Sequence, residues 1–105
     1  MIRATFLTSA DALCGFTVQG HAGQAEYGRD IVCAAVSSAV YLTANTLTEV
    51  CNVSADIQES DGRLTVRIHS EELSLAQIPL CGLQIHLEGL SAQYPQFIHL
   101  QQTEV

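Results

Sequence analysis

The sequence predicts an α+β fold, with two helices packed on one face of a single mixed or mainly antiparallel sheet. Five segments alternate apolar and polar residues, which is typical of strands that bury one face. Two longer segments repeat apolar residues every three or four positions, which is typical of helices. Short turn sequences join the first two predicted strands, and the third and fourth, as hairpins. The predicted order of elements is therefore β-β-α-β-β-α-β.

The first hairpin and helix occupy the N-terminal half of the chain. Residues 2–8 and 13–19 alternate as strands around the turn-like Ser9-Ala10-Asp11. Asp30 is a suitable helix N-cap, because its carboxylate can accept a hydrogen bond from an early backbone N–H. With Asp30 as the cap, Cys33 becomes the third helical residue, and the helix is expected to run to about Val50.

The second half repeats this arrangement and adds a final strand. Residues 53–59 and 64–68 alternate on either side of the Asp61-Gly62 turn. Proline costs about 3 kcal/mol inside a helix but is accepted in its first turn. Pro79 therefore predicts a short turn over residues 71–77 and a main helix from about Ile78 to Ala92. Residues 96–101 alternate again as the last strand.

Length, composition and charge limit the possible functions. A chain of 105 residues predicts a single domain over residues 1–105. The apolar content of 48% and charged content of 14% exclude a disordered chain, and the apolar excess favours a homodimer. The net charge of −7, with four arginines and no lysine, argues against direct binding of nucleic acid. A basic protein or peptide partner suits this charge better.

The cysteine pattern bears on compartment and cofactors. Four cysteines occur without a C-x-x-C pair or the spacing of a zinc site, so we predict no metal and no cofactor. The N-terminus does not resemble a signal peptide, and we find no run of about 18 apolar residues that indicates a membrane span. We therefore expect a cytoplasmic protein with free thiols and no membrane partner.

His21 and Cys33 are the candidate catalytic residues. The start of a helix favours a thiolate over a thiol, and the thiolate is the nucleophilic form of cysteine. His21 follows the second strand. The eight-residue loop after it, residues 22–29, can bring the start of the helix back toward His21 at modest entropic cost. His21 could then accept the thiol proton and later donate it to a leaving amine. The candidate substrate-binding residues are Gly20, Ala22, Gly23, Tyr27, Gly28, Asp30 and Ser37.

Other interpretations of Cys33 remain open at this point. A cysteine inside the run Ile-Val-Cys-Ala-Ala is most often a small core residue, and spacing alone does not link it to His21. A redox-sensing thiol is a further alternative, although the sequence shows no obvious resolving cysteine. On the first of these interpretations the protein is a non-catalytic binding or assembly protein.

The stretch GHAGQAEYGRDIVCAAVSSAV resembles the family of ribosomal-processing cysteine proteases called Prp. The strand GFTVQG before it and YPQFIHL near the C-terminus extend the resemblance to about Gln101, whereas Pro79 departs from the family's smoother second helix. The resemblance implies a dimeric enzyme with Cys33 as nucleophile and His21 as general base and acid. It also implies an endopeptidase that removes a short N-terminal extension from a large-subunit ribosomal protein, with the glycine-rich loop covering the peptide. The alternative is a non-catalytic, ribosome-associated binding or assembly protein.

Overall fold

The computed structural model describes residues 1–20 and 29–105. The predicted order of strands and helices is confirmed. The elements are β1 (Ile2–Ser9), β2 (Ala12–Gln19), α1 (Arg29–Asn45) with a π-helical turn (Thr46–Val50), β3 (Ala55–Ser60), β4 (Arg63–Ile68), a 3₁₀ turn (Ser70–Glu72), α2 (Leu73–Gln93) and β5 (Ile98–Glu104).

The strands form one mixed sheet, as predicted. Its order is β3-β4-β2-β1-β5, and only the contact between β1 and β5 is parallel. Both predicted hairpins are present as antiparallel pairs, β1–β2 and β3–β4. The final strand therefore lies beside the first one, which places the C-terminal segment at the edge of the sheet.

The core lies between the helices and one face of the sheet. Most even-numbered residues of β1, β2 and β4 point into it, because side chains alternate between faces along a strand. Phe6 and Phe16 are cross-strand partners in this layer, with ring centroids 6.3 Å apart. The helices contribute the buried residues Val32, Val36, Val40, Ala44, Ala76, Leu80, Leu83 and Leu87. The prediction of two helices on one face of the sheet is thus confirmed.

The first helix begins earlier than predicted. Helix α1 starts at Arg29, so Asp30 lies inside the helix and the prediction of Asp30 as N-cap is wrong. Cys33 is therefore the fifth helical residue. Helical structure does reach Val50, but its last five residues form a wider π turn. Side chains such as Thr46 and Thr48 accompany this change by donating to carbonyls four residues earlier, at 2.7 and 3.2 Å.

The second helix passes straight through Pro79, which corrects the predicted start at Ile78. Helix α2 runs unbroken from Leu73 to Gln93 with Pro79 inside it. Tertiary contacts explain why the first turns stay helical. The Gln77 side chain accepts from the Leu13 backbone N–H at 3.0 Å and donates to the Leu13 carbonyl at 2.7 Å. It also donates to the Leu73 carbonyl at 2.8 Å, which ties the start of α2 to β2.

One segment is more apolar than the sequence analysis recognised. Residues Ile31–Val50 are long and apolar enough to cross a membrane by length and composition, with a mean hydropathy of 1.4. Scattered serine and threonine residues break its apolar runs, which is why the search for continuous runs missed it. In the fold its valine stripe packs into the core. A core helix passes the same test of length and hydropathy, so the expectation of no membrane partner stays a prediction.

Candidate functional site

Cys33 lies near the N-terminal end of α1. Its side chain is half-buried and packs against the hydrophobic core. Because the Cα–Cβ bonds of a helix tilt toward its N-terminus, the thiol is directed toward the first turn of α1. Partial packing combined with partial exposure suits a nucleophile better than the full burial of Cys14, which is only 4% exposed.

Gly20 directly follows β2 and precedes His21. Its backbone φ is +89°, a conformation that residues with a Cβ rarely adopt. A Cβ at this position would lie 2.4 Å from the Met1 carbonyl oxygen. The Gly20 N–H donates to the Gly62 carbonyl at 3.0 Å, so the residue before His21 is fixed to the turn between β3 and β4.

Ser37 lies one turn after Cys33 on α1 and is half-buried. It lines a small cavity together with Val40 and Tyr41 of the same helix and with Val18 and Leu64 of the sheet. Val18 and Leu64 are cross-strand partners on β2 and β4. The structure therefore places the Cys33–Ser37 side of α1 above the strand that leads to Gly20.

Several predicted site residues lie outside the described part of the chain. These are His21, Ala22, Gly23, Tyr27 and Gly28, and the Asp30 side chain belongs with them. The predicted contact between His21 and Cys33, and the predicted substrate-binding roles of the loop, stay predictions. Of the predicted site residues, Gly20, Cys33 and Ser37 are described, together with the backbone of Asp30.

A polar cleft that the sequence analysis did not predict lies next to Gly20. Its volume is about 500 Å³, and Met1, Gly62 and two arginines help to line it. Arg3 and Arg63 each pair with Gln19 in the sheet, one from either side. They come together only through the strand register, so no local sequence signal could have identified them.

Tyr41 forms a second unpredicted contact near this end of the fold. Its hydroxyl donates a hydrogen bond to the Glu59 carboxylate of β3. This hydrogen bond is the main cause of a raised pKa for Tyr41, and burial and the Glu59 charge act in the same direction. The two residues are 18 positions apart in sequence, so only the fold shows that they meet.

The other cysteines do not form an alternative site among the described residues. All four cysteines are free thiols, with Cys51 half-buried and Cys81 exposed on α2. Within residues 1–20 and 29–105, no group of three or more histidine, cysteine, aspartate or glutamate residues is arranged to hold a metal ion. Among the four cysteines, Cys33 is the one in the first turns of α1.

The comparison with protein families agrees with the motif around Cys33. A family model described as Cysteine protease Prp matches residues 1–99. The chain belongs to the cysteine protease Prp family. The resemblance drawn from the sequence is confirmed, and so is the prediction that the protein is a cysteine protease and thus a hydrolase.

Prp relatives match over most of their length. The ribosomal processing cysteine protease Prp of Bacillus subtilis (strain 168) is 31% identical over 101 residues, which is 90% of each chain. The structure of Prp from S. aureus in complex with a substrate peptide has a TM-score of 0.90 at 24% identity, covering 98% of this chain and 100% of that one. A second S. aureus Prp structure, with a covalently linked product peptide, has a TM-score of 0.86 at 25% identity and the same coverage.

Proposed function

We propose that this protein is an endopeptidase that removes an N-terminal extension from a large-subunit ribosomal protein, with Cys33 as nucleophile and His21 as general base and acid. The observation that carries the proposal is the location of Cys33 at the same end of the fold as Gly20, the residue before His21. Relatives named as ribosomal processing proteases support the substrate class.

The directions of α1 and β2 support this pairing. After α1 and its π turn, the chain enters β3 at Ala55. Ala55 pairs with Ile68, at the end of β4 that is remote from Gly20. Helix α1 therefore runs antiparallel to β2. Ser37 and Val18 line the same cavity. From Ser37 back to Cys33 the helix advances about 6 Å. From Val18 to Gly20 the strand advances about 6.6 Å in the same direction. Cys33 and Gly20 are thus at similar positions along the direction of β2.

The proposed reaction has two covalent steps. The Cys33 thiol gives its proton to His21, and the thiolate attacks the scissile carbonyl carbon, forming a C–S bond. Collapse of the tetrahedral intermediate breaks the C–N bond, and His21 donates its proton to the leaving amine. Water, deprotonated by His21, then attacks the thioester carbon, the C–S bond breaks, and the leaving Cys33 sulfur takes the proton back from His21. The covalently linked product in the S. aureus relative is consistent with a covalent route.

The start of α1 supplies electrostatic support for these steps. The first four N–H groups of a helix lack intrahelical acceptors, and the N-terminus carries partial positive charge. The side chain of Cys33, the fifth helical residue, leans back toward this turn. The N–H groups there can stabilise a thiolate or a developing oxyanion. The correction to the start of α1 moves Cys33 two positions deeper than predicted but keeps it within reach of this turn.

Alanine substitutions test the nucleophile directly. The substrate is a synthetic peptide spanning the N-terminal extension junction of the large-subunit ribosomal protein, and cleavage is followed by mass spectrometry. We expect Cys33→Ala and His21→Ala to lose at least about a thousandfold in kcat, the scale seen when a nucleophile or its base is removed. Cys81→Ala, an exposed cysteine on α2, is the matched control and should keep normal activity. Cleavage by Cys33→Ala, or peptide binding without cleavage by the unmodified protein, would defeat the proposal.

We also propose that the protein is a homodimer joined through its helical layer. Leu42 of α1 and Ile78 and Ile85 of α2 are 69%, 85% and 68% exposed, which is unusual for large apolar side chains. A groove of about 540 Å³ separates the two helices, with Ala39 and Gly82 among its lining residues. Obligate and homodimer interfaces are more apolar than other surfaces, which matches this face.

Charge and glycine placement favour a second copy of this chain as the partner. A protein of net charge −7 repels itself unless the contacting face is neutral. Residues 31–48 carry no charged side chain. In α2, Glu88 is the one acidic residue, and there is no lysine or arginine. Gly82 and Gly89 lie seven residues apart on α2, and a Cβ at either position would meet nothing within 4 Å. Glycine weakens a helix, so we attribute both to the close approach of another backbone.

A cytoplasmic location remains part of the proposal, in keeping with four free thiols.

A further inference from the structure

Tyr41 connects the helix that carries Cys33 to the hairpin of β3 and β4. It lies two turns after Cys33, and its hydroxyl donates to Glu59 near the end of β3. Glu59 pairs with Leu64, which in turn pairs with Val18. Tyr41 lines the small cavity with Leu64 and Val18. Its side chain therefore lies beside the row of paired residues Val18, Leu64 and Glu59, which crosses three strands.

The same hairpin also holds the strand that leads to His21. Glu59 is followed by the turn that contains Gly62, and the Gly62 carbonyl accepts the Gly20 N–H at 3.0 Å. One end of the β3–β4 hairpin therefore makes a hydrogen bond to α1 through Glu59 and another to β2 through Gly62. These two contacts link the element that carries Cys33 with the residue next to His21.

We propose that Tyr41 and Glu59 are positioning residues, whose hydrogen bond fixes α1 relative to Gly20 and thereby sets the separation of Cys33 from His21. This inference rests on the proposed Cys33–His21 pair. Neither residue is assigned a contact with substrate. Proton transfer requires heavy atoms at about 2.6–3.2 Å, and displacement by about 1 Å can cost a hundredfold in rate. A single exposed hydrogen bond makes only a modest net contribution to global stability, so its larger effect should appear in kcat.

The test uses Tyr41→Phe, Glu59→Ala and the double variant. Each single change should lower kcat about three- to tenfold with KM within about twofold, the pattern of an interaction that acts on the chemical step. The double variant should be no worse than either single variant, because both remove one interaction. Thr8→Val is the matched control, since it removes an exposed hydroxyl contact to the Thr103 carbonyl at the end of β1 away from Met1 and Gly20. Its kcat should not change.

A second readout reports the dyad without turnover. Alkylation of Cys33 by iodoacetamide, followed by mass spectrometry of the Cys33 peptide, measures the reactivity of the thiolate that His21 supports. Tyr41→Phe should slow this alkylation by a similar factor, and His21→Ala sets the lower limit. Wild-type kcat and alkylation in both single variants, while Cys33→Ala is inactive, would overturn the positioning role alone. Activity in Cys33→Ala would instead overturn the proposed function.

Discussion

The Gly20 N–H donates to the Gly62 carbonyl at 3.0 Å, and this bond joins the end of β2 to the turn of the neighbouring hairpin. Gly20 also lies so close to Met1 that a Cβ would come within 2.4 Å of its carbonyl oxygen. The residue before His21 is therefore held from two sides by backbone groups. Such backbone contacts are stiff, which suits a residue that determines where a catalytic side chain begins.

Gly20→Ala should impair catalysis more than folding. The added Cβ must displace the Met1 carbonyl or change the backbone φ of Gly20, and a changed φ would redirect the chain that continues into His21. We expect kcat to fall at least about tenfold. Gly15→Ala is the control: it lies on β2, the strand that leads to Gly20, and its Cβ would clash with the Val66 carbonyl at 2.1 Å, but it is five residues further from His21. That variant should lose stability while its folded fraction keeps normal kcat, and equal kcat losses in both would contradict the prediction.

Gln77→Ala should destabilise the fold although Gln77 is a polar residue on a helix. Its amide satisfies both backbone groups of Leu13 and the carbonyl of Leu73. Leaving such part-buried groups unpaired costs about 1–3 kcal/mol in the free energy of unfolding. Urea denaturation measures this loss. Gln84→Ala, which removes only an exposed contact of 3.1 Å to Gln102, should change the free energy by less than about 0.5 kcal/mol. A loss as large for Gln84→Ala would show that the Leu13 contact is not special.

The strands could be predicted from the sequence, whereas the start of α2 could not, and Gln77 shows why. Alternation identified the five strands, because the alternation of apolar and polar residues is visible in the local sequence. The start of α2 was wrong because the penalty at Pro79 was judged from the local sequence alone. Contacts from Gln77 to a residue 64 positions away compensate for that penalty. Likewise, no local pattern indicates that β5 lies parallel to β1.

The candidate site divides in the same way. Cys33 and Gly20 were identified because they lie in one short motif around a helix start. Arg3 and Arg63 share a cleft only because both flank Gln19 in the sheet. Tyr41 meets Glu59 only because the fold brings the middle of α1 close to the end of β3. Contacts set by strand register and helix placement cannot be predicted from spacing in a single sequence.

Ile78→Glu and Ile85→Glu should each dissociate the proposed homodimer without unfolding the chain. Both side chains are highly exposed on α2, so a charge is tolerated in the monomer, whereas burial of an unpaired charge in an interface is strongly unfavourable. Sedimentation equilibrium should change from dimer to monomer mass. Ile57→Glu, the same substitution on β3 at a 44% exposed position, is the matched control and should stay dimeric. A monomeric unmodified protein, or dimers in every variant, would contradict the proposed interface.

Tyr41 should titrate above its ordinary pKa of 10.0, because the hydrogen bond to Glu59 requires the protonated phenol. A raised pKa in the folded state stabilises the fold fully at pH values below the unfolded value, and this contribution is lost as pH rises through the folded pKa. The stability difference between the unmodified protein and Tyr41→Phe should thus be constant from neutral pH to about 9 and shrink above the ordinary tyrosine pKa. Urea denaturation at each pH measures it. The ultraviolet difference between the two proteins reports the Tyr41 phenolate alone, and Glu59→Gln should move its midpoint down toward 10.0. A midpoint at or below that value in the unmodified protein would show that the hydrogen bond does not form in solution.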